Sequence, residues 1–191
     1  GVLSTDDKAD FGLSMGAKGV INRSNFKCWG QLPKVNTPEF NDYMKEARKF
    51  GKAIWQITGN KDVDIVFEHP GEATMPVSVF VAKRGGMIVI CAGTTGFNLT
   101  MDARFLWMRQ KRVQGSHFAN LLQASQANQL MLERRLDPCM SEVFPFSDIP
   151  AAHEKMLDNK HLPGNMAVLV TSPKPGLRTV EDVLEAGPTA V

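Results

Sequence analysis

The chain has almost no excess of charge. Its 22 Lys and Arg residues against 20 Asp and Glu leave a formal net charge of +2, and no basic stripe is interleaved with aromatics. A nucleic-acid partner is therefore not expected. No apolar run approaches the roughly 20 residues that a helical membrane span needs. Asp6, Asp7, Lys8 and Asp10 put charges where the apolar region of a secretory signal should lie, so no such signal is expected. Cysteine is scarce: Cys28, Cys91 and Cys139 are odd in number and widely spaced. That pattern argues against a disulfide framework and lacks the spacing of a zinc site, so no metal is expected. A reducing cytoplasm is the simplest setting, with Cys91 read as a small core residue inside an apolar strand. No internal repeat, low-complexity tract or serine–histidine–acid arrangement stands out.

What is present is an ordinary globular composition, 43% hydrophobic and 22% charged over 191 residues, enough for one domain and a tail. Strand and helix patterns alternate. Residues 1–5 read as the end of a strand, 6–15 as a helix and 18–22 as a short strand. Residues 24–38 read as an inserted loop. Apolar residues at Phe40, Tyr43, Met44, Ala47, Phe50, Ala53, Ile54 and Ile57 then predict an amphipathic helix over 39–58, capped by Gly59-Asn60. Buried parallel strands are expected at 63–67 and 87–91, around a helix that starts near Thr74 and breaks at Arg84-Gly85-Gly86. Helix 102–110, strand 112–118, helix 120–134, strand 140–144, helix 149–159 and strand 167–171 complete the series. The expected fold is α/β: a Rossmann-like, doubly wound parallel sheet covered on both faces. On this reading it is incomplete, because the first strand and its Gly-rich turn do not occur in the sequence. The expected domain spans 1–171, with an insert near 24–51 and a tail over 172–191.

In such sheets ligands sit outside the carboxyl ends of the strands, and that rule selects the positions that matter. Ser4, Thr5 and Lys8 offer two hydroxyls and an ammonium at a helix start, and Arg23 ends the next strand. Together they suit the 2′-phosphate of NADPH, although they also fit a solvated, capped helix with surface cations. Asp6 dissents from an anion site unless it serves the helix start. Glu68 and His69 could meet a ribose or simply form a polar loop. Cys91, Ala92, Gly93 and Thr94 give small residues and free amides, which permit close approach of a flat ring. His117 lies near a strand end between small polar residues and Phe118. Its imidazole could handle a proton, hold water or a small anion, or be a satisfied structural histidine.

The stretches DVDIVFEHPG (62–71), GGMIVICAGTTG (85–96), LWM with Lys111-Arg112, and GSHFAN (115–120) resemble the cofactor domain of the medium-chain dehydrogenase/reductase superfamily. Within it they resemble the crotonyl-CoA (enoyl-CoA) carboxylase/reductase family. The resemblance implies NADPH-dependent reduction of an enoyl-CoA such as crotonyl-CoA, with the enolate attacking CO2 to give an alkylmalonyl-CoA such as ethylmalonyl-CoA. It implies that His117 helps hold CO2, with Phe118 and Asn120 completing its surroundings. Cys91, Ala92, Gly93 and Thr94 would border the nicotinamide, while Thr5, Lys8 and Arg23 would hold the 2′-phosphate. The catalytic domain and the pyrophosphate cradle are not in this sequence, so the chain by itself is expected to be inactive. It would work with that domain in the same or another chain, as a homo-oligomer. Two rival readings stay open: a plain NADPH-dependent enoyl-CoA or quinone reductase, and a non-catalytic assembly fragment.

Overall fold

The computed structural model describes residues 1–170, which fall into two compact units, residues 1–118 and the remainder from Ala119 onward. The first unit opens with β1 (Val2–Leu3), a single 3₁₀ turn (Asp6–Lys8), α1 (Ala9–Ser14) and β2 (Ile21–Asn22), which lies parallel to β1. The second strand is shorter than the 18–22 span expected.

The longest helix, α2 (Pro38–Thr58), is set by its own sequence. Thr37 caps it by accepting a hydrogen bond from Phe40 N at 3.2 Å, and Pro38 sits in the first turn, where no amide partner is needed. Gly59 ends it in the left-handed conformation at φ 72°. The apolar stripe is the one read from the spacing. Phe40, Tyr43, Met44, Ala47 and Phe50 are buried against Ile21, Cys28 and Val77, each large side chain contributing about 2 kcal/mol. The inserted loop supplies part of this core, since Phe26 and Trp29 meet Phe50 edge-on at 5.4 and 5.2 Å.

Next come β3 (Val63–Glu68), α3 (Met75–Val81), β4 (Ala82–Ile90), α4 (Ala103–Trp107) and β5 (Arg112–Gly115). The order is β3–β4–β5, all parallel. Helix α3 serves two cores: Val77 joins the α2 cluster, and Met75 and Val79 pack with Ala82 and Ile88 of β4. The second unit contains α5 (Leu121–Leu132), β6 (Met140–Pro145), α6 (Ile149–Leu157) and β7 (Asn165–Leu169), with β6 parallel to β7.

The α/β order and the parallel pairing agree with the sequence reading, but four details do not. The described strands form three sheets rather than one. β3 is not buried on both faces, because Ile65 and Phe67 are 61% and 69% exposed; they line a cleft between β3 and β1. Cys91 lies just beyond β4 and is half-buried, so the fully buried cysteine is Cys28 in the insert. The expected strand over 112–118 stops at Gly115. The tail expected over 172–191 lies outside the described residues, as does Thr171 at the end of the last expected strand.

Candidate functional site

Register fixes which turns become neighbours. Glu68 pairs with Ile90 and Ile90 with Gly115, so the turns after β3, β4 and β5 emerge side by side at the carboxyl edge of one sheet. These turns carry Glu68, the Cys91–Thr94 run and His117.

The β3 turn is built around a buried carboxylate. Glu68 is 2% exposed and accepts hydrogen bonds from Gly71 N at 2.9 Å, Thr74 Oγ1 at 2.5 Å and Ser78 Oγ. The turn is then stitched to the one after β4. Thr95 N and Thr95 Oγ1 donate to the Pro70 carbonyl at 2.8 and 2.7 Å, and Glu72 N donates to the Gly96 carbonyl at 3.2 Å. Ala73 N donates to Thr95 Oγ1 at 3.0 Å. Two glycines make this closeness possible. At Gly71 (φ +88°) a Cβ would lie 2.8 Å from the Gly96 carbonyl oxygen, and at Gly96 (φ +131°) it would lie 2.1 Å from a Glu72 carboxylate oxygen. The inserted loop braces the same turns from outside. Gly30 N donates to the Ala73 carbonyl at 2.7 Å and Gln31 Nε2 to Glu72 Oε1 at 2.9 Å.

Cys91, Ala92 and Gly93 are half-buried and Thr94 is exposed along this edge. His117 is exposed beyond β5, its ring 3.9 Å from that of Phe118 and tilted by 47°. Phe118 is held at φ +55° with 90% of its surface open. Asn120 belongs to the second unit and caps α5, accepting from Gln123 N at 2.9 Å while its own amide donates to Gln123 Oε1 at 3.0 Å.

The other predicted group gathers where β1 and β2 end. Ser4, Thr5 and Lys8 are exposed and Arg23 is half-buried; among the described residues none of these four side chains has a hydrogen-bond or ion-pair partner. Asp6, the dissenting acid, accepts from Asn22 Nδ2 at 2.9 Å and so ties the two strand ends together. A cleft of about 660 Å³ runs from β1 and β2 to β3, with Ser4, Arg23, Glu68 and His69 among the residues around it. The structure thus places Ser4 and Arg23 on this cleft, with Thr5 and Lys8 following β1, and brings Glu68, Cys91–Thr94 and His117 to one sheet edge.

Sequence reasoning missed the residues that hold the turns. Thr74 and Ser78, one helical turn apart, and Thr95 were readable only as a spacing of hydroxyls. It also missed the role of Lys111. This lysine is 9% exposed and donates to the carbonyls of Val79 and Phe80 at 2.6 and 3.1 Å, closing the C-terminal end of α3. Burial, with Arg109 nearby, pushes its pKa down to about 8.

A family model described as zinc-binding dehydrogenase matches residues 1–134. The chain belongs to this zinc-binding dehydrogenase family. Among the described residues, no group of three or more His, Cys, Asp and Glu side chains is arranged to hold a metal ion. The chain is 73% identical over 188 residues, 98% of its length, to a crotonyl-CoA carboxylase/reductase of Cereibacter sphaeroides, of which it spans 44%. It is 40% identical over 92% of its length to a crotonyl-CoA reductase of Streptomyces avermitilis, spanning 38% of that protein. A solved crotonyl-CoA carboxylase/reductase in complex with NADP superposes with a TM-score of 0.85 at 43% identity, covering 91% of this chain and 43% of that one. The chain thus covers less than half of each relative. The expected α/β, Rossmann-like fold and the family resemblance drawn from EHPG and GSHFAN both hold. No helix among the described residues is long and apolar enough to cross a membrane.

Proposed function

We propose that this chain is the cofactor-side part of an NADPH-dependent reductive carboxylase that converts crotonyl-CoA, or another enoyl-CoA, and CO2 into ethylmalonyl-CoA or a longer alkylmalonyl-CoA. The observation that carries this reading is the 73% identity, along 98% of the chain, to a crotonyl-CoA carboxylase/reductase. The unengaged side chains at the β1 and β2 ends support the choice of cofactor. Two hydroxyls, an ammonium and a guanidinium, without partners among the described residues, are the donor set that a 2′-phosphate requires. Ser4, Thr5, Lys8 and Arg23 would hold that group, and Cys91, Ala92, Gly93 and Thr94 would border the nicotinamide. When bound, NADPH would supply the hydride. In this reading the NADPH-binding domain extends over residues 1–171, with the insert near 24–51.

His117 would stabilise the negative charge that develops as CO2 becomes a carboxylate, either by donating a hydrogen bond itself or through water. Its exposure at the sheet edge supports the role, because the group is available to a ligand. Phe118 would shield it, and the Nδ2 of Asn120 is left available by the capping bonds. The catalytic portion, the acyl-CoA site and any self-association would belong to the protein of which this chain forms a part, in the cytoplasm.

The test supplies that complete protein with NADPH, crotonyl-CoA and bicarbonate and weighs the products. A product with an added carboxyl group is expected. Butyryl-CoA alone would instead favour reduction without carboxylation, a second reading supported by the name of the Streptomyces relative. Replacing His117 with Asn should lower the carboxylated share of product about tenfold or more. An unchanged partition would remove His117 from this role.

A further inference from the structure

Glu68 reads from the sequence as a cofactor contact, yet its carboxylate is turned inward. An unpaired buried carboxylate costs several kcal/mol, so its donors reveal its task. They are Gly71 N at the close of the turn, Thr74 Oγ1 just before α3 and Ser78 Oγ one turn into that helix. One charge therefore fixes both the path of His69 and Pro70 and the direction in which α3 departs. The constraint continues outward. The Pro70 carbonyl, held on that path, accepts from both the amide and the hydroxyl of Thr95. Gly96 receives the Glu72 amide. A continuous series of hydrogen bonds thus leads from the buried carboxylate to the 91–96 turn.

We propose that Glu68 is a positioning residue for hydride transfer: acting through Gly71, Pro70 and Thr95, it sets where the Cys91–Gly96 turn stands, without touching the cofactor. The inference rests on the NADPH-dependent reading above. Hydride transfer demands close and aligned approach, and a displacement of about 1 Å can lower a rate on the order of 100-fold. Affinity, by contrast, would be anchored where β1 and β2 end, so rate and binding should separate.

The experiment uses the complete protein with Glu68→Gln, Ser78→Ala and Thr95→Val. Glutamine keeps the shape of Glu68 but loses its charge. The serine change removes one donor in the interior, and the threonine change cuts the outer link while leaving the carboxylate's own partners in place. NADPH binding is followed by fluorescence and single-turnover NADPH consumption by absorbance, with thermal melting alongside. The expected result is a fall in the single-turnover rate of about tenfold or more for Glu68→Gln. Smaller falls should follow for the other two variants, with the NADPH Kd changed less than about threefold throughout. A Kd that rises while the saturated rate holds would mean direct cofactor contact and overturn the proposal. Rate losses that merely follow the folded fraction would overturn it as well. If Glu68→Gln does not fold, Thr95→Val decides: an unaltered rate there sinks the idea. Wild-type protein that binds no NADPH would bring down the functional reading and this proposal together. Wild-type turnover with unaltered variant rates would bring down this proposal alone.

Discussion

Where β1 and β2 end, four polar side chains have no hydrogen-bond partner among the described residues, whereas where β3 and β4 end the turns are bonded to each other. The contrast is one of division of labour. The side chains of Ser4, Thr5, Lys8 and Arg23 make no hydrogen bond among the described residues, and Asp6 and Asn22 do the joining in their place. The Glu68–Ala73 and Cys91–Gly96 turns spend their polar atoms on holding shape, through a buried carboxylate, two glycines and a threonine that bonds in both directions. One end offers chemistry to a ligand. The other offers it a fixed wall.

Substitutions can break or sharpen this contrast. The largest effect is expected at the braced end. Gly71→Ala would force a left-handed alanine, its Cβ 2.8 Å from the backbone oxygen of Gly96 and 2.9 Å from the Gly93 Cα. A loss of about 3 kcal/mol or more is expected in urea unfolding; a loss below about 1 kcal/mol would show that the turns are not rigid. At the open end the order reverses. Arg23→Ala should leave the melting temperature within about 2 °C, since the hydrogen bond from the Trp29 indole Nε1 to the main-chain carbonyl of residue 23 survives. Its NADPH Kd should rise about tenfold, with NADH unaffected. Lys8→Ala should act in the same sense but only about two- to fivefold, and that effect should fade at high salt because the group is exposed. Stability lost at Arg23, or NADH weakened equally with NADPH, would erase the distinction between the two ends.

Most of the framework was legible because it is local. The helix period and Gly59 after Thr58 are decided within a few residues, whereas Thr37 and Pro38 read as loop and Asn120 as helix although they form the two N-terminal ends. The candidate positions were selected by the rule that ligands meet strand ends. What the sequence could not convey was what lies across from a residue. The run Val63–Phe67 reads as a buried strand, but Ile65 and Phe67 face a cleft, and the apolar pattern is the same in either setting. Glu68 likewise reads as a polar strand end, and only folding brings Thr74 and Ser78 round to satisfy it. Asp6 looked like a charge opposed to an anion site until Asn22, sixteen residues away, proved to be its partner.

Helix α3 is met by the buried acid Glu68 at its start and by the buried base Lys111 at its end, signs that complement its own peptide dipoles. The basic end makes the chain's stability respond to alkali in an unusual direction. At neutral pH, Lys111 is protonated whether the chain is folded or not. Around pH 8 the folded form releases its proton, while an unfolded lysine releases it only around 10.4. Over that interval the unfolded chain binds more protons, so this residue makes stability climb with rising pH. Replacing it with methionine should flatten that part of the curve in urea unfolding between pH 8 and 10, and a slope left intact would assign it to another group. A lysine is thus retained in the interior at a standing electrostatic cost, relieved only where its proton can leave.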